Sequence, residues 1–264
     1  MRLILLVLIV GGVFWSGYHK TPLGAADGVA LDGASTRPTP ADGHIRVGAF
    51  NIQGGVGADN RYDLDRTADA LRGCDLVGLC EVHGRTLTIP SDQAHLLGDK
   101  LGLAYLFAPA ERRWRHDDFG NGILCDLDIV HWQRFPMATP TSTNNRAILL
   151  VRARYGGRIL NILVAHVERT DRDRQLREVV EMYQSLAAPA LLLGDLNAVA
   201  IHPLLRELLA DHQNVDTIAQ ATHDDHIIWI VARGLACLRA GIVDKGASDH
   251  PFYWADLELS GGPQ

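Results

Sequence analysis

The chain has 264 residues, 47% of them hydrophobic and 21% charged, which excludes a disordered or collagen-like protein and allows one large core. With 25 Lys and Arg against 31 Asp and Glu, its formal net charge is −6. Such a field does not attract polyanions and argues against a nucleic-acid binder that relies on global charge, although a metal ion or the local cluster Arg112, Arg113 and Arg115 can dominate at a cleft.

Arg2 precedes an apolar run over residues 3–15. Secretory h-regions run to roughly 7–15 residues and membrane spans need about 20, so the run is expected to be a signal peptide or a short membrane anchor. Gly24, Ala25 and Ala26 offer a small-residue cleavage site, giving a leader over residues 1–26. Gly, Ala, Pro and Asp without apolar period predict a flexible linker over residues 27–43, and a catalytic domain is expected over residues 44–260. Export, to a periplasmic or extracellular space or held at a membrane, follows.

Further along, residues 45–51 read as a strand and residues 63–72 as a helix with Leu64, Ala68 and Leu71 on one face, ended by Gly73. A strand over 75–80 and a helix over 92–101 follow, the latter stopped by Gly102. Residues 123–132 read as one strand, and 146–155 with 158–166 as a hairpin turning at Gly156 and Gly157. Thr170, with Asp173 as capping partner, opens a helix that places Leu176, Val179, Val180, Tyr183 and Leu186 together and closes before Pro189. Strands at 190–194, 227–231, 238–243 and 252–257, with a short helix over 203–210, complete the domain. Cys74 and Cys80 bracket an extended run and would stand about 20 Å apart, beyond disulfide reach. All four cysteines, with Cys125 and Cys237, are expected to be small buried residues.

Several short apolar runs end in a polar side chain: Asn51, Glu81, His166, Asp195 with Asn197, and Asp249 with His250 ahead of the last strand. Buried strands read as such runs, so these residues can converge on one rim of a sheet. Asp195 and Asn197 point the same way from an extended backbone, where they suit an attacking water and a phosphoryl oxygen, or else cap the next turn. Glu81 is a natural ligand for a hard cation; Asn51 either orients it or forms an Asx-turn into Gly54-Gly55. His250 needs a carboxylate to fix its tautomer, and Asp225 is the candidate, with Asp224 beside it. Arg146 contacts a phosphate or forms a surface salt bridge. Arg112, beside Trp114, is a candidate for substrate contact.

Taken together, the motifs resemble the endonuclease/exonuclease/phosphatase superfamily, which includes pancreatic-type deoxyribonucleases, neutral sphingomyelinases and inositol polyphosphate 5-phosphatases. The resemblance is carried by Val47-Gly48-Ala49-Phe50-Asn51-Ile52-Gln53, Asp75-Leu76-Val77-Gly78-Leu79-Cys80-Glu81-Val82 and Gly120-Asn121-Gly122-Ile123-Leu124. It continues through Ala165-His166-Val167, Leu193-Gly194-Asp195-Leu196-Asn197, Asp225-His226-Ile227-Ile228 and Ala247-Ser248-Asp249-His250-Pro251, in the family's order.

The resemblance implies an α+β fold, a four-layer α/β/β/α sandwich of two mixed sheets, and hydrolysis of phosphate esters with Mg²⁺ or Mn²⁺. By position Asn51, Glu81 and Asp249 would serve the metal, and Asp195 would align water with Asn197 on the phosphate. His250 with Asp225 would act as base or donor, and His166 would contact the oxyanion; Arg146, Asn121 and Arg112 would bind substrate. Cys80 stands where the family usually has Gln, a change expected to alter metal orientation. Glu111 is a candidate partner for His166, as in some nucleases of the family. The expected substrate is a phosphodiester, in a nucleic acid or a phospholipid headgroup, handled by a monomer with no obligate protein partner. A lipid or inositol-phosphate phosphatase near a membrane and an inactive binding module are the alternatives.

Overall fold

The computed structural model describes residues 20–33, 43–86, 88–113, 117–219, 221 and 225–260. The apolar run over 3–15, most of the linker over 34–42, Trp114 with Arg115, and Asp224 lie outside the described residues. Among the described residues no helix is long and apolar enough to cross a membrane.

Strands in chain order are β1 (Thr21–Pro22), β2 (Ala26–Gly28), β3 (His44–Asn51), β4 (Leu76–His83), β5 (Ala104–Arg112), β6 (Phe119–Cys125) and β7 (Asp128–Met137), followed by β8 (Arg146–Tyr155), β9 (Arg158–His166), β10 (Ala190–Asp195), β11 (Asn214–Asp216), β12 (Ile228–Arg233), β13 (Leu235–Val243) and β14 (Phe252–Leu259). Helices are α1 (Leu64–Leu71), α2 (Gln93–Leu101), α3 (Arg172–Ser185) and α4 (Pro203–Ala210). One seven-stranded sheet runs β1-β5-β6-β4-β3-β14-β13 and the other β11-β12-β10-β9-β8-β7-β2. Both are mixed, with β3 parallel to β4 and β9 parallel to β10.

The sheets pack face to face through Val47, Leu76, Ile123, Val151, Ile162, Val164, Leu191, Leu193 and Ile230. Leu71, Leu97 and Phe50 close the outer face of the first sheet under α1 and α2, and Leu176, Val179, Tyr183 and Leu205 that of the second under α3 and α4. The α/β/β/α sandwich is therefore present. Both faces of each sheet are covered, which is why the central strands read as continuous apolar runs rather than alternating ones.

Local differences have physical causes. The single strand expected over 123–132 is two strands on different sheets: β6 ends at Cys125, and the chain crosses at Asp126, whose N–H donates to Asp75 O at 3.0 Å. Asp126 and Asp128 flank Leu127 at the crossing, but apolar residues on both sides let the stretch read as one run. Strand β5 went unanticipated because it holds Pro109; the register slips there, between Pro109 and Glu111, where a strand tolerates proline. Helix α3 begins after Asp171 with no side-chain cap, because the Asp171 carboxylate accepts from Thr141 and Ser142 instead.

Part of the stretch read as leader and linker lies along the domain. Strand β1 pairs with β5 on one sheet, β2 pairs with β7 on the other, and Asp32 bridges to Tyr105. Residues 20–33 thus strap the two sheets together at one edge. Cys74, Cys80 and Cys125 are buried free thiols as expected, but Cys237 is exposed, lying on β13, where the sheet has an outer edge.

Candidate active site

The parallel pairs place the polar strand ends. In β9 and β10 the register sets His166 beside Asp195; in β3 and β4 it sets Asn51 beside Cys80, with Glu81 the next residue. A bulge between Leu79 and Val82 interrupts the pairing of β4 with β6 and leaves Glu81 at φ +58. Non-glycine residues rarely adopt this left-handed conformation, and a bulge is a common means of re-aiming a side chain beside a site. Asn197, at φ +48, is the second such residue here.

At the centre, the Asn51 side-chain amide donates to Glu81 Oε1 and to Asp195 Oδ2, both at 3.0 Å. The same Asp195 oxygen lies 3.9 Å from His166 Nε2 and 3.9 Å from His250 Nε2, and Glu81 Oε1 lies 3.9 Å from His166 Nε2. These spacings exceed a direct hydrogen bond and leave both rings able to reach a substrate oxygen. Asn197 Nδ2 stands 3.5 Å from His166 Nε2 and donates to Val167 O at 2.8 Å.

Asp195 caps the next turn as one sequence alternative had it, and Asn51 both forms the Asx-turn and holds Glu81. Asp195 Oδ1 accepts from Asn197 N at 3.0 Å, and Asn51 Oδ1 accepts from Gln53 N at 3.1 Å. These turn contacts fix the side chains while the remaining atoms face the centre. Ser248 ties the last segment in: its hydroxyl donates to Asn51 O at 2.7 Å, and His250 N donates to Ser248 Oγ at 3.2 Å.

Electrostatics follow burial. Burial holds His166 well below the usual histidine range, reinforced by Arg146, His250 and Arg169, so the ring is neutral at physiological pH. Burial pushes Asp195 upward, the Glu81 charge adds to this, and the Asn51 hydrogen bond opposes it.

The other expected residues are placed as follows. Arg146 Nη2 lies 2.7 Å from Glu168 Oε2, both side chains largely buried, and its guanidinium sits over the Phe119 ring at 5.1 Å; its salt bridge is internal, not on the surface. Asn121 is buried between the sheets and donates to Ala147 O at 2.8 Å. Arg112 is exposed and lies 3.7 Å from Asp118. Asp225 lines a cavity of about 420 Å³ with Arg169, Lys245, Asp249, His250 and Tyr253. The carboxylates nearest His250 Nε2 are Asp249 at 3.8 Å and Asp195 at 3.9 Å, in place of the expected Asp225 pairing. Glu111 is fully buried, accepting from Arg113 Nε at 2.7 Å and Asn145 N at 3.0 Å; it pins the loop ahead of Arg146. Cys80 Sγ contacts Ala165 O across the sheets at 3.5 Å.

Glu168 and Arg169 were not anticipated from sequence, and Ser248 was marked only as part of the motif that carries Asp249 and His250. Arg169 Nε donates to Asn197 Oδ1 at 3.0 Å. The available signal was position: Glu168 and Arg169 directly follow His166-Val167.

Among the described residues no group of three or more His, Cys, Asp or Glu side chains stands in metal-ligand geometry. The donor set nevertheless fits a hard divalent cation, which takes one or two carboxylates and keeps waters or substrate oxygens for the rest. Glu81 and buried Asp195 share one amide, and Glu81 raises Asp195 further, so the centre is short of positive charge.

The fold has relatives of known structure. An endonuclease/exonuclease/phosphatase from Beutenbergia cavernae is similar at TM-score 0.68 and 22% identity, over 83% of this chain and 72% of that one. The human Nocturnin catalytic domain, solved with bound sulfate, is similar at TM-score 0.62 and 16% identity, over 82% of this chain and 93% of that one. D. rerio TDP2, solved with a single-strand DNA product, is similar at TM-score 0.61 and 14% identity, over 83% of this chain and all (100%) of that one. No curated protein sequence matches the chain significantly. The sequence profile of the Endonuclease/Exonuclease/phosphatase family matches residues 48–250, a span running from within the Asn51 strand to His250. Profile, fold and converged strand ends agree, and the chain belongs to the endonuclease/exonuclease/phosphatase family.

Proposed function

We propose that the protein is a divalent-metal-dependent hydrolase acting on a phosphodiester. Family membership supplies the reaction class, phosphate-ester hydrolysis. The observation that carries the finer reading is the Asn51 amide spanning Glu81 and Asp195, with two imidazoles 3.9 Å from the same Asp195 oxygen.

In this reading Asp195, held by Asn51 and by Asn197 N, orients the attacking water and accepts its proton at Oδ2. Its upward-shifted affinity for protons suits a general base. His166, neutral, donates to a phosphoryl oxygen from Nε2 in the tautomer that carries the proton there, and Asn197 Nδ2 assists. His250 approaches from the opposite segment and holds the other face of the phosphoryl group. Preorganised donors of this kind stabilise charge developing in the transition state without reorganisation. Glu81 would hold the metal, with the second lone pair of Asn51 Oδ1 and the Asp249 carboxylate as further oxygen donors. A bound Mg²⁺ or Mn²⁺ would neutralise phosphoryl charge and make water more acidic.

The apolar residues 3–15 support export or membrane attachment, which would set the substrate among nucleic acids or phospholipid headgroups outside the cytoplasm. The test is hydrolysis of bis-p-nitrophenyl phosphate, plasmid DNA and sphingomyelin with Mg²⁺, with chelator, and with Asp195→Ala. Chelator-sensitive cleavage lost in Asp195→Ala is expected, and the substrate turned over names the class. Cleavage that survives both treatments refutes the reading, and metal-supported binding without turnover identifies a binding module.

A further inference from the structure

Beyond His166 the chain enters a segment dense in arginine. Arg169 lies in the turn after β9, and Arg172 and Arg174 lie in the first turn of α3. They line a cavity of about 420 Å³ together with Thr141, Asp171 and Asp173. Two carboxylates share these walls and keep their charge, each held below the ordinary carboxylate range by its hydrogen bonds, so the lining sets three guanidinium groups against two carboxylates. Asp171 accepts from the Thr141 hydroxyl and from Ser142 N at 2.9 Å. Asp173 Oδ1 accepts from His202 Nε2 at 3.2 Å and Arg172 Nε at 3.4 Å. Among the described residues Arg174 forms no hydrogen bond or salt bridge; Asp171 and Glu178 feel it at Coulombic range alone.

This cavity adjoins the hydrolytic centre. Arg169 also lines the cavity that contains Asp249 and His250, and its Nε donates to Asn197 Oδ1 at 3.0 Å. One side chain therefore forms the wall between the two compartments. Guanidinium groups present planar forks of donors that match phosphate oxygens. In a chain of net charge −6, an unpaired arginine in a concave wall beside the centre is where an anionic group finds local positive potential.

We propose that Arg172 and Arg174, with Arg169 at the shared wall, form a subsite for a second phosphate group of the substrate, adjacent to the one hydrolysed. The proposal rests on the hydrolytic reading above and narrows it to substrates bearing at least two phosphates. A nucleotide chain and a phosphorylated inositol both carry that chemistry.

The test compares wild type with Arg174→Gln and with Arg172→Gln/Arg174→Gln. Glutamine keeps helix propensity, and circular dichroism with thermal melting checks the fold. Substrates are bis-p-nitrophenyl phosphate, thymidylyl-thymidine with and without a 5′-phosphate, and glycerophosphoinositol with and without a 4-phosphate on the ring. Wild type should favour the extra phosphate by roughly tenfold in kcat/KM in one pair, the worth of one charge-assisted hydrogen bond. The double variant should lose that advantage through KM while bis-p-nitrophenyl phosphate turnover stays within about twofold. The pair that responds names the source of the phosphate. No advantage in either pair, or an advantage that survives the double substitution, overturns the subsite. Calorimetric titration of inorganic pyrophosphate, with chelator present, gives a readout independent of turnover. About tenfold weaker binding in the double variant is expected, and equal affinity overturns the proposal. Absence of all hydrolysis in wild type, with the pyrophosphate difference intact, would overturn the hydrolytic reading and leave the subsite standing.

Discussion

Asn51 and Asp195, separated by 144 positions in sequence and carried by different sheets, are joined by a 3.0 Å hydrogen bond from Nδ2 to Oδ2. With its second proton the same amide holds Glu81. Replacing it by a carboxylate removes both donors and adds a third negative charge between two others. Asn51→Asp should therefore lower kcat/KM for bis-p-nitrophenyl phosphate by about 100-fold or more, the usual scale for a lost preorganised donor. Activity within a few-fold of wild type would show that the amide does not organise the centre.

Glu81 and His250 enter the centre from a bulge and from a loop held by Ser248, so truncating either leaves the apolar core untouched. Glu81→Ala and His250→Ala should each reduce turnover by orders of magnitude with an unchanged far-ultraviolet circular dichroism spectrum. Near-wild-type rates in either variant would remove that residue from the mechanism.

Gly194 sits at φ +134, and a Cβ there would stand 2.0 Å from Ala165 O. This close approach allows β10 to pair tightly beside His166 at the point where Asp195 leaves the sheet. Gly194→Ala is expected to cost about 3 kcal/mol or more through strain and displaced pairing. Thermal unfolding of the purified variant measures it, and an unchanged Tm would mean that the strand shifts freely.

The strap formed by residues 20–33 predicts that a chain beginning at His44 is less stable than one beginning at Lys20. Its loss removes hydrogen bonds from Trp132 Nε1 to Ala30 O at 3.0 Å, from Arg134 Nη2 to Gly24 O at 2.8 Å and from Leu23 N to Ala110 O at 2.9 Å. Net contributions near 1 kcal/mol each, partly offset by the entropy of ordering the segment, suggest a loss of about 2 kcal/mol. For a domain of this size that is a Tm lower by roughly 4–8 °C. Equal melting temperatures would assign the strap no stabilising role.

Asp256 accepts from Arg46 Nε at 2.7 Å and from Arg46 Nη2 at 2.9 Å, with Arg239 also bound. The Arg46 hydrogen bonds hold its carboxyl below the ordinary 3.8. A depressed carboxyl contributes stability that is fully present above its unfolded value and is lost as pH falls through the folded one. Asp256→Asn should therefore lower Tm at pH 7, and the gap from wild type should close below about pH 4. A gap independent of pH down to strong acid would contradict the pairing.

Much of the centre was legible because a buried strand announces itself as an apolar run and its end as the first polar residue. Asn51, Glu81, His166 and Asp195 were all marked in this way, and parallel pairing brings them to one rim. The side-chain partners of these residues were not legible. Glu111, taken as a candidate partner for His166, is committed to Arg113 and Asn145, and the Arg146–Glu168 pair depends on how two strands of one sheet end. Asp225 was joined to His250 by residue type, whereas the fold sets Asp195 and Asp249 nearer to that ring. Pattern locates strand ends; three-dimensional register decides which of them meet.

The hairpin turn at Gly156 and Gly157, both at positive φ, closes β8 and β9 at the end remote from His166. Strand β9 is extended, so its start at Arg158 and its end at His166 stand about 26 Å apart. The molecule therefore has a rim that carries the candidate site and a rear rim, connected by extended strands. A fluorophore, affinity tag or whole domain inserted between Gly156 and Gly157 would ride on the rear rim. Such a fusion offers a way to tether the protein to a surface or report on its encounters while the candidate site faces outward.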